Sequence, residues 1–221
     1  MNGFDDLDQY NDVGDLVSHC TALDKVVLTK KIIKRYPEHQ PTWKILGSAL
    51  SQEGKVEEAL EATKKTIELS PEDADAHFNL GNLFFKLSQF NEAAASQMRA
   101  IELNQDDVQA YSTLAKTLLR LGRLDEAEKY LRLALQKHPN SIVNYLSLSQ
   151  VLRKKGEAAK AEGILNELLI MRPNLAEGHY NLGVTLRDLE EYDGAAESYK
   201  RAIAFNDLLS LSFLAKPSQN C

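Results

Sequence analysis

The sequence predicts an all-α solenoid, a row of two-helix hairpins stacked side by side, on three observations. A unit of 34 residues recurs from Gln40 onward without insertion or deletion. Each unit carries two apolar faces at helical spacing, and small or turn-forming residues fall at fixed places within and between those faces. Such an array has no single core; it buries a continuous seam between neighbours.

The clearest copy is residues 74 to 107, ADAHFNLGNLFFKLSQFNEAAASQMRAIELNQDD. With position 1 at Gln40, Ala74, Val108, Ile142 and Ala176, position 4 reads Trp43, His77, Tyr111, Tyr145 and His179. Position 7 is Leu46, Leu80, Leu114, Leu148 and Leu182, and position 20 is Ala59, Ala93, Ala127, Ala161 and Ala195. Position 8 is always small: Gly47, Gly81, Ala115, Ser149 and Gly183. Positions 4, 7, 8 and 11 share one face of a first helix, and positions 20, 24 and 27 share one face of a second. Gly54, Gly122 and Gly156, with Ser88 and Glu190 in the other two copies, sit between the faces, where the first helix must stop. Glycine inside a helix costs about 1 kcal/mol relative to alanine, so Gly47, Gly81 and Gly183 imply close helix contact. Ala115 and Ser149 show that smallness is the requirement, and leucine at these sites should overpack the contact by about 1–3 kcal/mol.

In chain order, residues 1 to 22 hold Asp5, Asp6, Asp8, Asp12 and Asp15 with no Lys or Arg, and read as an acidic cap with a short amphipathic helix. Residues 23 to 39 form a degenerate half-repeat: Val26, Val27, Ile32 and Ile33 make an apolar face, and Pro37 falls 34 residues before Pro71. Five repeats follow, at 40–73, 74–107, 108–141, 142–175 and 176–207; Pro71, Pro139 and Pro173 close three of them at position 32. Asn206 or Asp207 is expected to cap a last short helix in the apolar segment 208–221. Leu208, Leu209, Leu211, Phe213 and Leu214 make that segment a poor terminal cap, so the expectation is either that this end meets another surface, such as a second copy, or that the chain is a fragment or shortened relative of something longer.

The 34-residue helix-turn-helix pattern over residues 40 to 207 resembles the tetratricopeptide (TPR) repeat. The resemblance implies a right-handed superhelix and a non-catalytic scaffold for protein–protein interaction. It also implies that the first helix of each pair lines a concave groove, with positions 2, 5, 6, 9, 12 and 13 pointing into it. Mapped onto this chain, those positions give Lys44, Lys86, Lys116, Arg120, Arg153, Lys154 and Arg187 against Asp75, Glu177 and Asp188, a net +4 in a chain whose total is −6. The expected ligand is an extended, acidic peptide segment. Position 6 offers Asn79, Thr113, Ser147 and Asn181 as short polar groups for a peptide backbone, similar to the asparagine ladder of O-GlcNAc transferases. Asn82 and Gln150 at position 9 and Tyr180 at position 5 complete the candidate groove. Phe78, Phe85, Leu119 and Leu146 supply apolar neighbours. The carboxylate clamp of chaperone-binding TPR domains corresponds here to Lys44, Ser48, Asn79, Gln109 and Thr113 and matches at only Lys44 and Asn79. The runs YPEHQPTWKILG and DADAHFNLG are also similar to TPR stretches that precede O-GlcNAc-transferase-like glycosyltransferases and some sulfotransferases, so a docking or oligomerising region of such an enzyme is the alternative.

No catalytic constellation, cofactor or metal is expected. His77 and His179 stand at the bulky position 4, and His19 beside Cys20 has no further ligand at metal-site spacing. With Lys+Arg 26 against Asp+Glu 32, a nucleic-acid partner is disfavoured. No apolar run suits a membrane span and the acidic N-terminus is unlike a secretory leader, so membrane insertion is not expected and a cytoplasmic location is. Cys20 and Cys221, at opposite ends of the array, are expected as free thiols.

Overall fold

The fold is that of a computed structural model, which describes residues 20 to 214, with side chains as far as Asn206. The described residues form eleven helices and no strand: α1 (Ala22–Arg35), α2 (Gln40–Gln52), α3 (Val56–Leu69), α4 (Ala74–Lys86), α5 (Phe90–Leu103), α6 (Val108–Arg120), α7 (Leu124–Lys137), α8 (Ile142–Lys154), α9 (Ala158–Met171), α10 (Ala176–Asp188) and α11 (Tyr192–Leu214). The predicted all-α solenoid of hairpins is the observed class, and the acidic stretch 1–19 lies outside the described residues. The chain divides into two compact units, residues 1–110 and 111–221, with the division inside α6.

In the first unit α1 packs on α2, α2 on α3, α3 on α4 and α4 on α5. Its core is Val26, Leu46, Ala49, Leu50, Ala59, Ala62 and Leu83, drawn from four helices. Thr21 starts α1 by accepting the Asp24 amide. Of the apolar face expected on α1, Val26 and Ile32 are buried, but Val27 is 48% exposed and lies off that face. In the second unit the same sequence of contacts runs α7 to α8, α9, α10 and α11. Its buried leucines include Leu131, Leu148, Leu152, Leu165 and Leu168.

Each hairpin turns at the same place and in the same way. Gly54, Gly122 and Gly156 have φ of 75°, 72° and 78°, and Ser88 and Glu190 are held in the same left-handed region at 60° and 65°. The next amide closes the turn onto the carbonyl five residues back in all five copies: Lys55 to Leu50, Gln89 to Phe84, Arg123 to Leu118, Glu157 to Leu152 and Glu191 to Leu186. A side chain in that region costs about 1–2 kcal/mol, so at Ser88 and Glu190 the packed hairpin overrides the local preference.

The small residues at position 8 meet position 24 of the second helix. A Cβ on Gly47 would lie 2.8 Å from Thr63 Oγ1, on Gly81 2.5 Å from Gln97 Cγ and on Gly183 2.8 Å from Tyr199. Position 4 has a role beyond packing. Trp43 Nε1 donates to the Pro37 carbonyl at 2.8 Å, His77 Nε2 to Pro71 at 2.9 Å and His179 Nε2 to Pro173 at 2.7 Å. A carbonyl only accepts, so both histidines carry the proton on Nε2. The ring thus pins the loop before its own helix. Tyr145 instead donates its hydroxyl to Glu167 of α9 at 2.9 Å, and burial, then the Glu167 carboxylate, push the phenol up to about 12.

The chain does not break at Asn206 or Asp207. The expected separate C-terminal helix is instead the continuation of α11, which runs unbroken to Leu214. Neither residue forces a turn, and no proline stands at position 32 of this repeat as it does in repeats one, three and four.

Candidate functional site

The first helices of the hairpins carry the candidate residues, and neighbouring hairpins cross-link them. In the first unit Lys44 of α2 reaches forward, with Nζ 3.0 Å from Asp73 Oδ2 at the close of its own repeat and 2.8 Å from Asp75 Oδ2 in the next. Asp73 is also the N-cap of α4, accepting the Ala76 amide at 3.0 Å, and takes a 2.8 Å bond from Gln40 Nε2. Burial pulls its carboxyl upward, but the Ala76 amide, the Lys44 ammonium and Gln40 outweigh that and hold it below the usual carboxylate range.

A group with a lowered folded-state pKa contributes stability that is present at neutral pH and lost as pH falls through that lowered value. Asp73→Asn keeps a capping oxygen and removes the charge. It should therefore cost about 0.5–1 kcal/mol at pH 7, a modest figure because the pair is partly solvated. The gap between the variant and the parent should begin to narrow as the pH falls below about 4, the ordinary aspartate value, and close only below the lowered value of Asp73 in the folded chain. Urea melts at pH 7 and pH 3 decide this; an Asn variant equally weakened at both would show that Lys44 contributes nothing through Asp73.

Beside this pair, α2 and α4 enclose a cleft of about 360 Å³. Asn79, Asn82 and Lys86 of α4 line it together with Ser48, Ser51 and Gln52 of α2 and the ring of Phe85. Lys86 Nζ lies 3.1 Å from Ser51 Oγ and makes no ion pair among the described residues. Phe85 is held edge-on by Phe90, with ring centroids 5.3 Å apart. Three of the four candidates in this unit therefore share one cleft, and Lys44 is engaged separately. Ser51 and Gln52 were legible only as groove positions 12 and 13; nothing in their chemistry singled them out.

In the second unit Arg153 of α8 binds Asp188 of α10 through Nε at 2.7 Å and Nη2 at 2.6 Å. Arg187 Nη2 approaches the other oxygen of Asp188 at 3.5 Å. Gln150, Arg153 and Lys154 share a cleft of about 280 Å³ with Asp188, where Lys154 is exposed and makes no ion pair among the described residues. Lys116 and Arg120 are exposed on α6 and Thr113 is half-buried there. The position-6 ladder is uneven: Ser147 is 8% exposed, which leaves a ligand little of its hydroxyl, and Asn181 Nδ2 donates back to the Glu177 carbonyl at 2.8 Å. Ser147 is one of seven buried residues on α8, with Asn144, Tyr145, Leu148, Ser149, Val151 and Leu152. Tyr180 is 56% exposed and stands 5.8 Å, centroid to centroid, from Tyr199.

Asp75 and Asp188 are already subtracted in the net +4, so their pairs with Lys44 and Arg153 leave that sum unchanged, whereas Asp73, outside the count, takes it down to +3. Among the described residues no group of three or more His, Cys, Asp and Glu side chains is placed to hold a metal ion, and no helix is long and apolar enough to cross a membrane.

Helical hairpins repeating at a constant interval, packed on one another within each unit and offering polar first-helix surfaces, define the class of helical-repeat proteins. Models of the TPR repeat match residues 47–88, 88–152 with 118–182, and 176–207, and with most of its length so covered the chain belongs to the tetratricopeptide-repeat family. Among solved structures, YrrB, a TPR protein with an unusual peptide-binding site, is 23% identical with a TM-score of 0.64, covering 85% of this chain and 97% of its own. The MamA protein is 19% identical with a TM-score of 0.67, covering 77% and 93%. PilF of Pseudomonas aeruginosa is 21% identical with a TM-score of 0.64, covering 75% and 76%. At these identities the likeness is one of fold. No curated protein sequence matches the chain.

Proposed function

We propose that this protein is a non-catalytic scaffold that binds an extended, acidic peptide segment on the first-helix surfaces of its repeats. The cleft between α2 and α4 carries the reading. It sets two carboxamides, Asn79 and Asn82, beside an ammonium, Lys86, and an aromatic ring, Phe85, in about 360 Å³. Carboxamides can both donate to and accept from a peptide backbone, the ammonium suits a carboxylate side chain, and the ring suits an apolar one. Lys116 and Lys154 extend the same preference on the second unit. A peptide-binding site in YrrB, on the same fold, is in keeping with this use of the repeat.

The test is capture of partners from lysate, followed by anisotropy titration of the peptide segment that is recovered. Lys86→Glu with Lys154→Glu should weaken binding by at least about tenfold, and raising salt tenfold should weaken the parent in the same direction. Binding that neither change moves would place the ligand elsewhere and end the acidic-peptide reading.

A further inference from the structure

The last hairpin of the second unit has a face built to receive a helix. In the preceding hairpin, position 24 is Leu165 and position 27 is Leu168, both fully buried. At position 28, Leu169 lies so close under α10 that a Cβ on Gly178 would meet its Cδ2 at 2.9 Å. A following helix therefore covers that face. The equivalent residues of the last hairpin are Tyr199, Ala202 and Ile203, and here Ile203 is 62% exposed. With Tyr180 these residues line an open apolar hollow of about 530 Å³.

The same end supplies a helix in search of cover. The second helices α3, α5, α7 and α9 each have 14 residues, whereas α11 has 23 and runs past the point, Phe205, where the pattern would stop. The added turns read DLLSLSFL from residue 207 to 214, five large apolar residues with a single charge. Being continuous with the helix that forms the face, this overhang is carried along the α11 axis and does not fold back over the hollow of its own chain. A second copy can place its overhang there, and return the same contact, around a two-fold axis.

We propose that the protein forms a closed two-fold dimer in which the α11 overhang of each copy lies on the α10–α11 face of the other. The two-fold arrangement buries both overhangs and both hollows at once and leaves neither for a third copy. The clefts between α2 and α4 and around Arg153 lie elsewhere on the chain, although Tyr180, a candidate groove residue, also lines this hollow.

Light scattering coupled to gel filtration, with sedimentation equilibrium over a concentration series, tests it on the full chain. The parent should give twice the 24.7 kDa of one chain. Ile203→Glu on the face, and separately Leu211→Glu with Phe213→Glu on the overhang, should each raise the dissociation constant by at least about a hundredfold. Ile203 is exposed within one chain, so its replacement should leave helicity and melting of the monomer unchanged; Ile203→Gln serves as a second variant if the charge perturbs folding. A parent that is monomeric at every concentration, a mass above two chains, or a dimer that survives either face variant in folded form would each overturn the proposal.

Discussion

Leu50→Ala should destabilise the first unit by about 2–5 kcal/mol, the range for emptying a well-packed core site. Leu50 is 1% exposed and belongs to the cluster of Val26, Leu46, Ala49, Ala59, Ala62 and Leu83, so residues from α1, α2, α3 and α4 all border the space its side chain would vacate. In a repeat array each hairpin contacts only its neighbours, so the loss should appear first as early melting of α1 to α4. Urea unfolding followed by circular dichroism, with hydrogen exchange resolved by segment, would show it. The control is Ile170→Ala: Ile170 is 81% exposed, and its truncation should change stability by no more than about 0.5 kcal/mol. Equal effects for the two would mean that the cluster around Leu50 is not the core.

Gly81→Leu should cost about 1–3 kcal/mol through overpacking. The Cβ alone would stand 2.5 Å from Gln97 Cγ and 3.1 Å from the Ala93 carbonyl oxygen. Gln97 can swing aside, but the Ala93 carbonyl is helix backbone and moves only if α5 moves. The informative partner is Gly163→Ala on α9, where an added Cβ meets nothing within 4 Å. That change should stabilise by about 1 kcal/mol, because alanine is the better helix former and no contact opposes it. Two helical glycines thus carry opposite expectations from one physical cause, the distance to the neighbouring helix. Denaturation midpoints that move the same way for both would sink the close-contact account of position 8.

The ion pairs bear on function as much as on stability. Lys44 and Arg153 each reach an acid of the following repeat, so they stiffen the junction between consecutive first helices at the expense of charge available to a ligand. Lys86, Lys116 and Lys154 make no such pair among the described residues, and the electrostatic part of the proposed recognition rests on them.

Much of the fold was legible in the sequence because its causes are short-range. Position 7 leucines and position 20 alanines mark helix faces through the 3.6-residue period, position 8 reports a clearance by its size, and the turn at position 15 is marked by glycine in three of five copies. These signals repeat, so each copy checks the others. The tertiary structure decided what depends on reach between repeats. Asp75 lies 31 residues from Lys44 and Asp188 lies 35 from Arg153, and only the packed distance between their helices makes them partners. The burial of Ser147, the Nε2 bonds of His77 and His179 to proline carbonyls, and the run of α11 past Asn206 are of the same kind. A helical period fixes which way a residue faces along its own helix; what it meets there is set by the neighbouring helix, through packing and side-chain length that no local pattern records.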